Sequence, residues 1–157
     1  MKGSIFVQIE KCLACHSCEL ACAIEHSDSK TLVQANQEDP PPVARVYVED
    51  IEGTPVPLQC RHCEDAPCVS VCPRKAIEKL GPGQPVIIDE EKCTGCNFCV
   101  AACPFGVVVV SGDPKVAIKC DLCPQRIKEG LEPACVSACP SGAICFGTGD
   151  ESQEDQT

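Results

Sequence analysis

Large rings are nearly missing from the 157 residues: there is no tryptophan, one tyrosine and four phenylalanines. A core cannot be built from aromatic packing here, and a small domain short of large side chains is organised by crosslinks or metals instead. Positive charge is scarce as well. Thirteen Lys and Arg stand against 23 Asp and Glu, a formal −10, with no basic cluster. Nucleic acid and anionic membrane surfaces are poor partners for such a protein. Long apolar runs are lacking too. "FGVVVV" at 105–110 is far below the roughly 20 residues that a helix needs to cross a bilayer. The opening "MKGSIFVQIEKC" has no apolar signal core and no small-residue cleavage site. The expectation is a cytoplasmic protein without direct membrane insertion. No G-x-G-x-x-G, P-loop, G-x-S-x-G or C-x3-C-x2-C triad occurs, and no substrate pocket with an acid, base or nucleophile is suggested. The sequence is therefore read as non-catalytic.

Cysteine is what the sequence has in excess, with seventeen of them. Cytosolic reduction disfavours a disulfide framework, so metal ligation becomes the default. Sixteen sort into four quartets: Cys12, Cys15, Cys18, Cys22; Cys60, Cys63, Cys68, Cys72; Cys93, Cys96, Cys99, Cys103; and Cys120, Cys123, Cys135, Cys139. The flanks repeat also, as "PCVSVCPRKAI", "FCVAACPFGVV" and "ACVSACPSGAI". The third quartet matches the bacterial ferredoxin run C-x2-C-x2-C-x3-C-P without deviation. Three thiolates on one tight loop wrap a cubane, and small neighbours such as Thr94 and Gly95 let backbone N–H groups turn toward sulfur. The fourth cysteine, placed at the start of a short helix, ligates a neighbouring cluster. Structural zinc usually joins two separated C-x2-C or C/H pairs, and three cysteines within seven residues suit that clamp badly. A zinc-binding interaction module is the remote alternative.

Crossed ligation of the second and third quartets gives one [4Fe–4S] cluster on Cys60, Cys63, Cys68 and Cys103 and another on Cys93, Cys96, Cys99 and Cys72. By elimination the flanking quartets pair with each other: Cys12, Cys15 and Cys18 with Cys139, and Cys120, Cys123 and Cys135 with Cys22. The quartet order, the wide gap in "CRHCEDAPC" and the stretched "CDLCPQRIKEGLEPACVSACP" resemble the four-cluster ferredoxin-type electron-transfer subunits. Those accompany molybdenum and tungsten oxidoreductases, formate dehydrogenases, hydrogenases and carbon monoxide dehydrogenase. "KCLACHSCELACAIEHS" most resembles the carbon monoxide dehydrogenase-associated and formate hydrogenlyase-type members. The resemblance covers residues 5 to about 146 and implies the same outer pairing. Quartet one departs from it: Ala23, not proline, follows Cys22, so a helix can continue through Glu25 into His26.

The expected fold is α+β and loop-rich, with two ferredoxin-like two-cluster repeats, the inner inserted in the outer split one. Residues 60–110 form the inner repeat, and 1–26 with 111–146 the outer. Residues 27–59 form a linker and partner-docking insertion, and 147–157 an acidic disordered tail. Strands are expected at Ile5–Ile9, Arg45–Glu49, Val86–Asp89, Val107–Val110 and Val116–Lys119, with a hairpin loop at "SGDP" containing Gly112 and Pro114. Short helices are expected to follow the fourth cysteines, through Ala76, Val100 and Val136. "SDSKTLVQANQEDPPP" at 27–42 reads either as a solvated linker or as a loop that docks a partner. Cys145 is expected as a small buried hydrophobe. His16 and His62 are expected at cluster rims, His26 at a helix end, and Lys11, Arg61, Lys92 and Lys119 as charges that offset the clusters.

These readings imply an electron-transfer subunit with a catalytic oxidoreductase subunit and a second redox subunit or ferredoxin as partners; self-stacking is permitted. A free soluble polyferredoxin is the alternative. Four clusters would add to the formal charge and give roughly −18. Anaerobically purified protein should carry about sixteen iron atoms per molecule. Stoichiometric zinc without visible absorption would reject the cluster reading.

Overall fold

A computed structural model describes residues 3–111 and 115–147. Its elements are short, and all its strands lie in two-stranded antiparallel ribbons. β1 (Ser4–Val7) pairs with β8 (Ile144–Gly147), with Ile5 opposite Phe146. This ribbon ties together the two ends of the described residues. β2 (Val46–Ile51) pairs with β3 (Thr54–Gln59), β4 (Ile77–Lys79) with β5 (Val86–Ile88), and β6 (Val109–Ser111) with β7 (Val116–Ile118). The helices are α1 (Ser17–Glu25), α2 (Leu32–Ala35), α3 (Pro67–Ser70), α4 (Phe98–Ala102), α5 (Pro124–Lys128) and α6 (Ala134–Ser137). The architecture is α+β, and no helix among the described residues is long and apolar enough to cross a membrane.

Packing separates into two cores. One gathers Ile5, Cys18, Cys22, Val46, Cys120, Leu122, Cys135 and Ile144. The other gathers Ala66, Cys68, Ile77, Val86, Cys99, Val108 and Ala117. Half of the first core is cysteine, so sulfur occupies the positions that aromatic rings would fill in a richer sequence.

Helix placement differs from expectation. Val100 and Val136 are helical, but Ala76 lies just before β4, and the helices precede the fourth cysteines instead of following them. Proline explains this. Pro73, Pro104 and Pro140 each follow a fourth cysteine, and a residue before proline is driven out of the helical region. Cys103 is accordingly extended, at φ −75° and ψ 114°. At the other end, Pro67 and Pro124 sit in the first turn of their helices, where the missing N–H costs nothing. Where proline is absent after Cys22, α1 runs on to Glu25 and His26 caps it, as the sequence suggests.

Two further features depart from expectation. Within the 27–59 segment the strand expected at Arg45–Glu49 is part of a longer β-hairpin over residues 46–59, and within 27–42 the Glu38 carboxylate accepts the backbone N–H groups of Asp28 and Ser29. Pro55 and Pro57 sit within β3, which is tolerated because each strand of a two-stranded ribbon is an edge. Cys145 is only half-buried: along β8 the core-facing position is Ile144, and strand alternation turns the next side chain outward. The hairpin loop with Gly112 and Pro114 lies outside the described residues, as does the tail beyond residue 147, although β6 and β7 pair as expected.

The helix end, the entry to β2 and the Cys120 loop are clamped by one ionic cluster. The His26 ring donates to the Cys22 carbonyl at 2.7 Å and to Asp121 at 3.2 Å. Arg45 donates to the other Asp121 oxygen at 2.8 Å, and the Cys123 N–H donates to Asp121 at 2.9 Å. Burial opposes the charge on His26, but Asp121 and Cys22 outweigh it and raise its pKa to about 9. Burial also opposes the charge on Asp121, yet His26 and Arg45 hold its carboxyl well below the usual carboxylate range. Because the folded pKa of His26 is raised, its contribution is complete below its ordinary value near 6.5 and is lost as pH rises through about 9. Asp121 contributes a constant amount across that window. The cluster-loaded wild type should lose about 1–3 kcal/mol of stability between pH 6.5 and 9.5. His26→Gln should remove that pH dependence, read as thermal midpoints under anaerobic conditions.

Candidate metal centres

Each quartet begins on a loop whose backbone is bent the same way. The residue just before the second cysteine is left-handed in all four: Ala14 (φ 52°), His62 (φ 48°), Gly95 (φ 63°) and Leu122 (φ 68°). His16 and Asn97, two residues further on in their loops, are left-handed as well. Alternation of right- and left-handed residues turns successive N–H groups toward one point, a concavity suited to anions. A non-glycine residue in this region costs about 1–2 kcal/mol, so all four loops, the third through Asn97, hold strain that something must offset. At Gly95 a Cβ would also approach the Lys115 carbonyl oxygen to 2.6 Å.

Four backbone N–H groups donate to sulfur, one of them from the left-handed His62. Arg45 N–H donates to Cys22 Sγ at 3.2 Å, His62 N–H to Cys60 Sγ at 3.4 Å, Ala76 N–H to Cys72 Sγ at 3.2 Å and Ala117 N–H to Cys93 Sγ at 3.3 Å. Such bonds favour an electron-rich thiolate over a thiol.

The third cysteine of each quartet, namely Cys18, Cys68, Cys99 and Cys135, lies in the first turn of a helix and is buried. The fourth lies inside α1 for Cys22 and just past the helix end for Cys72, Cys103 and Cys139. The cysteines gather in four places. Cys12, Cys15, Cys18 and Cys139 line one cavity, and Cys72, Cys93, Cys96 and Cys99 line a second. In the third, burial pushes the Cys68 thiol up, Lys119 opposes this, and Cys60 and Cys103 add to it; Cys63 packs on the same core. In the fourth, burial raises Cys135 to about 12, with Cys22 and Cys123 adding to it. Cys120 is also raised well above the ordinary thiol value by burial, with Cys135 and Cys22 as charged neighbours. Cys123 and Cys18 both rise to about 11 through burial.

Crowded, buried thiols of this kind cannot ionise together in the unloaded protein, whereas metal coordination deprotonates a thiol outright. Other groups await a partner of the same sign. Gln59, 2% exposed and next to Cys60, has neither amide atom hydrogen-bonded. His62 accepts the Val86 N–H at Nδ1, 3.0 Å away, which leaves its proton on a buried Nε2 without an acceptor. Burial, with Lys119 nearby, lowers the His62 pKa to about 3, so the ring is neutral. Sixteen thiols, inward N–H groups and unpartnered donors suit an electron-rich, sulfur-ligated cluster, whose bridging sulfides add acceptors to those of the cysteine thiolates.

The remaining sequence candidates divide by exposure. His16 contacts Glu19 at 3.1 Å beside the first cavity. Cys145 stands apart from the four gatherings, its thiol donating to the Gly142 carbonyl at 3.1 Å. Lys11 and Arg61 are exposed and Lys92 pairs with Asp89 at the surface, but Lys119 is 3% exposed. Sequence reasoning does not single out Gln59 or Asp121. Their only signal is position, immediately before Cys60 and immediately after Cys120.

Comparisons with known proteins agree with this chemistry. Residues 51–149 match the family model described as a 4Fe-4S dicluster domain. An iron-sulfur protein of Rhodospirillum rubrum is 43% identical over 152 residues, covering 89% of this sequence and 79% of its own. The thiosulfate reductase electron transfer subunit PhsB of Salmonella typhi is 38% identical, covering 92% and 74%. The B subunit of the anaerobic dimethyl sulfoxide reductase of Escherichia coli is 35% identical, covering 93% and 73%. The cysteine content, the inward donors and these matches have one reading: the protein belongs to the 4Fe-4S dicluster domain family and is an iron-sulfur protein of four [4Fe–4S] clusters.

Proposed function

We propose that the protein is the electron-transfer subunit of an oxidoreductase complex, relaying single electrons between a catalytic subunit and a second redox subunit or ferredoxin. One observation carries this reading. The sixteen cysteines gather in four places, and among the described residues only Cys15 and Cys96 are exposed cysteines. They belong to different gatherings, so two of the four present a sulfur at the surface.

The ligand sets in this proposal are Cys12, Cys15, Cys18 with Cys139; Cys60, Cys63, Cys68 with Cys103; Cys93, Cys96, Cys99 with Cys72; and Cys120, Cys123, Cys135 with Cys22. The cavities and thiol neighbourhoods described above support it. The two cores follow in large part the division into an inner repeat (60–110) and an outer split one (1–26 and 111–146), with Ala117 packing on the inner core and Val46 and Cys60 on the outer. When bound, each cluster supplies a one-electron couple. The protein's own residues do the rest. The left-handed loops orient N–H groups, Cys18, Cys68, Cys99 and Cys135 keep their sulfurs from water, and the helix turn between third and fourth cysteines sets spacing.

Both exposed sulfurs have apolar neighbours. Leu13 is 66% exposed in the Cys12–Cys15 loop and Phe98 57% exposed beside Cys96 and Cys99. Exposed apolar residues beside a redox group suit a docking partner that excludes water. The relatives' names direct the proposed catalytic partner toward reductases of the thiosulfate, tetrathionate and dimethyl sulfoxide type, ahead of enzymes oxidising carbon monoxide, formate, hydrogen or aldehydes.

Two results test this reading. Anaerobic purification should bring down a larger oxidoreductase subunit, and that enzyme's substrate should change the visible absorption of the clusters; a protein that purifies alone and exchanges no electrons with such an enzyme rejects it. For the ligation, Cys103→Ser should perturb the cluster of Cys60, Cys63 and Cys68, with about twelve to sixteen iron atoms retained. Iron loss that tracks the Cys93 set instead would contradict the crossed arrangement.

A further inference from the structure

Lys119 joins β7 to the Cys120 loop, and its side chain is buried. The ammonium is received by two main-chain carbonyls, that of Val86 and that of Cys120 at 3.0 Å. Val86 belongs to the core of the second and third quartets, and Cys120 to the core of the first and fourth. The charge therefore sits on the seam between the two halves. Among the described residues no carboxylate forms an ion pair with it. Asp121, two residues further along, is taken by Arg45, His26 and the Cys123 N–H, and Glu90 reaches Arg45 at 3.7 Å.

A buried ammonium held only by carbonyl dipoles is costly, because neutral acceptors do not replace the lost hydration of a full charge. Lys119 has three donors, and the two carbonyls use two. Its field is felt at Cys68 and at the His62 ring. Gln59 and His62, on either side of Cys60, bring further buried donors without acceptors. The seam beside the Cys60 set is thus positive and donor-rich, with its complement missing from the protein's own groups.

We propose that Lys119 is a positioning residue for the cluster of Cys60, Cys63, Cys68 and Cys103: its charge favours the more negative, reduced state and raises that cluster's reduction potential. This rests on the ligand sets proposed above. Cluster potentials respond to net charge, hydrogen bonds to sulfur and exposure, and a fixed charge acts most strongly where water is excluded. The effect makes the seam a favourable stopping point for an electron crossing between the two halves.

The test is a potentiometric titration followed by EPR, with iron counting, on the full cluster-loaded protein as wild type, Lys119→Gln and Lys119→Arg. In Lys119→Gln one reductive step should fall. Its reduced-to-oxidised ratio at the wild-type midpoint should drop about tenfold, equivalent to about 59 mV for one electron. Lys119→Arg should restore the wild-type value. Full iron content with every midpoint unmoved overturns this inference and leaves the ligand sets standing, whereas failure of the ligand sets shows separately in the Cys103→Ser iron count. If Lys119→Gln does not load, loading of Lys119→Arg with wild-type potentials upholds the role of charge. Equal failure of both variants makes Lys119 a space-filling residue and overturns the proposal.

Discussion

Buried sulfur governs this molecule. A sequence with no tryptophan and few other rings fills its two cores with cysteine, and those thiols crowd so closely that burial and mutual repulsion push several of them up, Cys135 to about 12. As free thiols they are small, weakly packing side chains. As ligands they lose their protons and gain a shared partner, and the free energy of metal binding becomes free energy of folding. The short ribbons and short helices have little independent stability. The elements serve to bring sulfur together, and the clusters in turn secure the elements.

Backbone strain and unpaired donors follow from the same constraint. Ala14, His62 and Leu122 adopt left-handed conformations that glycine alone adopts easily, and they recur at one position of every quartet loop. Such strain persists where the surrounding structure over-determines it. One of these residues, His62, aims its N–H at the Cys60 sulfur, and Arg45, Ala76 and Ala117, outside the loops, do the same at Cys22, Cys72 and Cys93. Gln59, His62 and Lys119 extend the theme from backbone to side chains. All three place donors in the interior with fewer acceptors than they need.

Much of the chemistry is legible from spacing, because a cubane's ligands must lie on one tight loop and the gaps between cysteines record that loop. Gly95 announces the left-handed bend in the third quartet; Ala14, His62 and Leu122 give no sign, since nothing about an alanine, histidine or leucine signals positive φ. Helix position is harder to read, because proline after the fourth cysteine looks like the end of a loop when it ends a helix. β3 is hidden because Pro55 and Pro57 argue against a strand unless the strand is known to be an edge. The alternation along β8 that turns Cys145 outward depends on its pairing with β1, more than a hundred residues away. The burial of Lys119 is hidden for a similar reason: lysine beside a cysteine looks like surface charge until Val86 is seen to close over it.

The measurement that bears most directly on this account is iron anomalous density from crystals of the anaerobically loaded protein. The account predicts four cubanes, each with three thiolates from one quartet and a fourth from its partner: Cys139, Cys103, Cys72 and Cys22 respectively for the sets opened by Cys12, Cys60, Cys93 and Cys120. A single metal ion in any site, or a quartet whose four sulfurs close on one cluster, would contradict it.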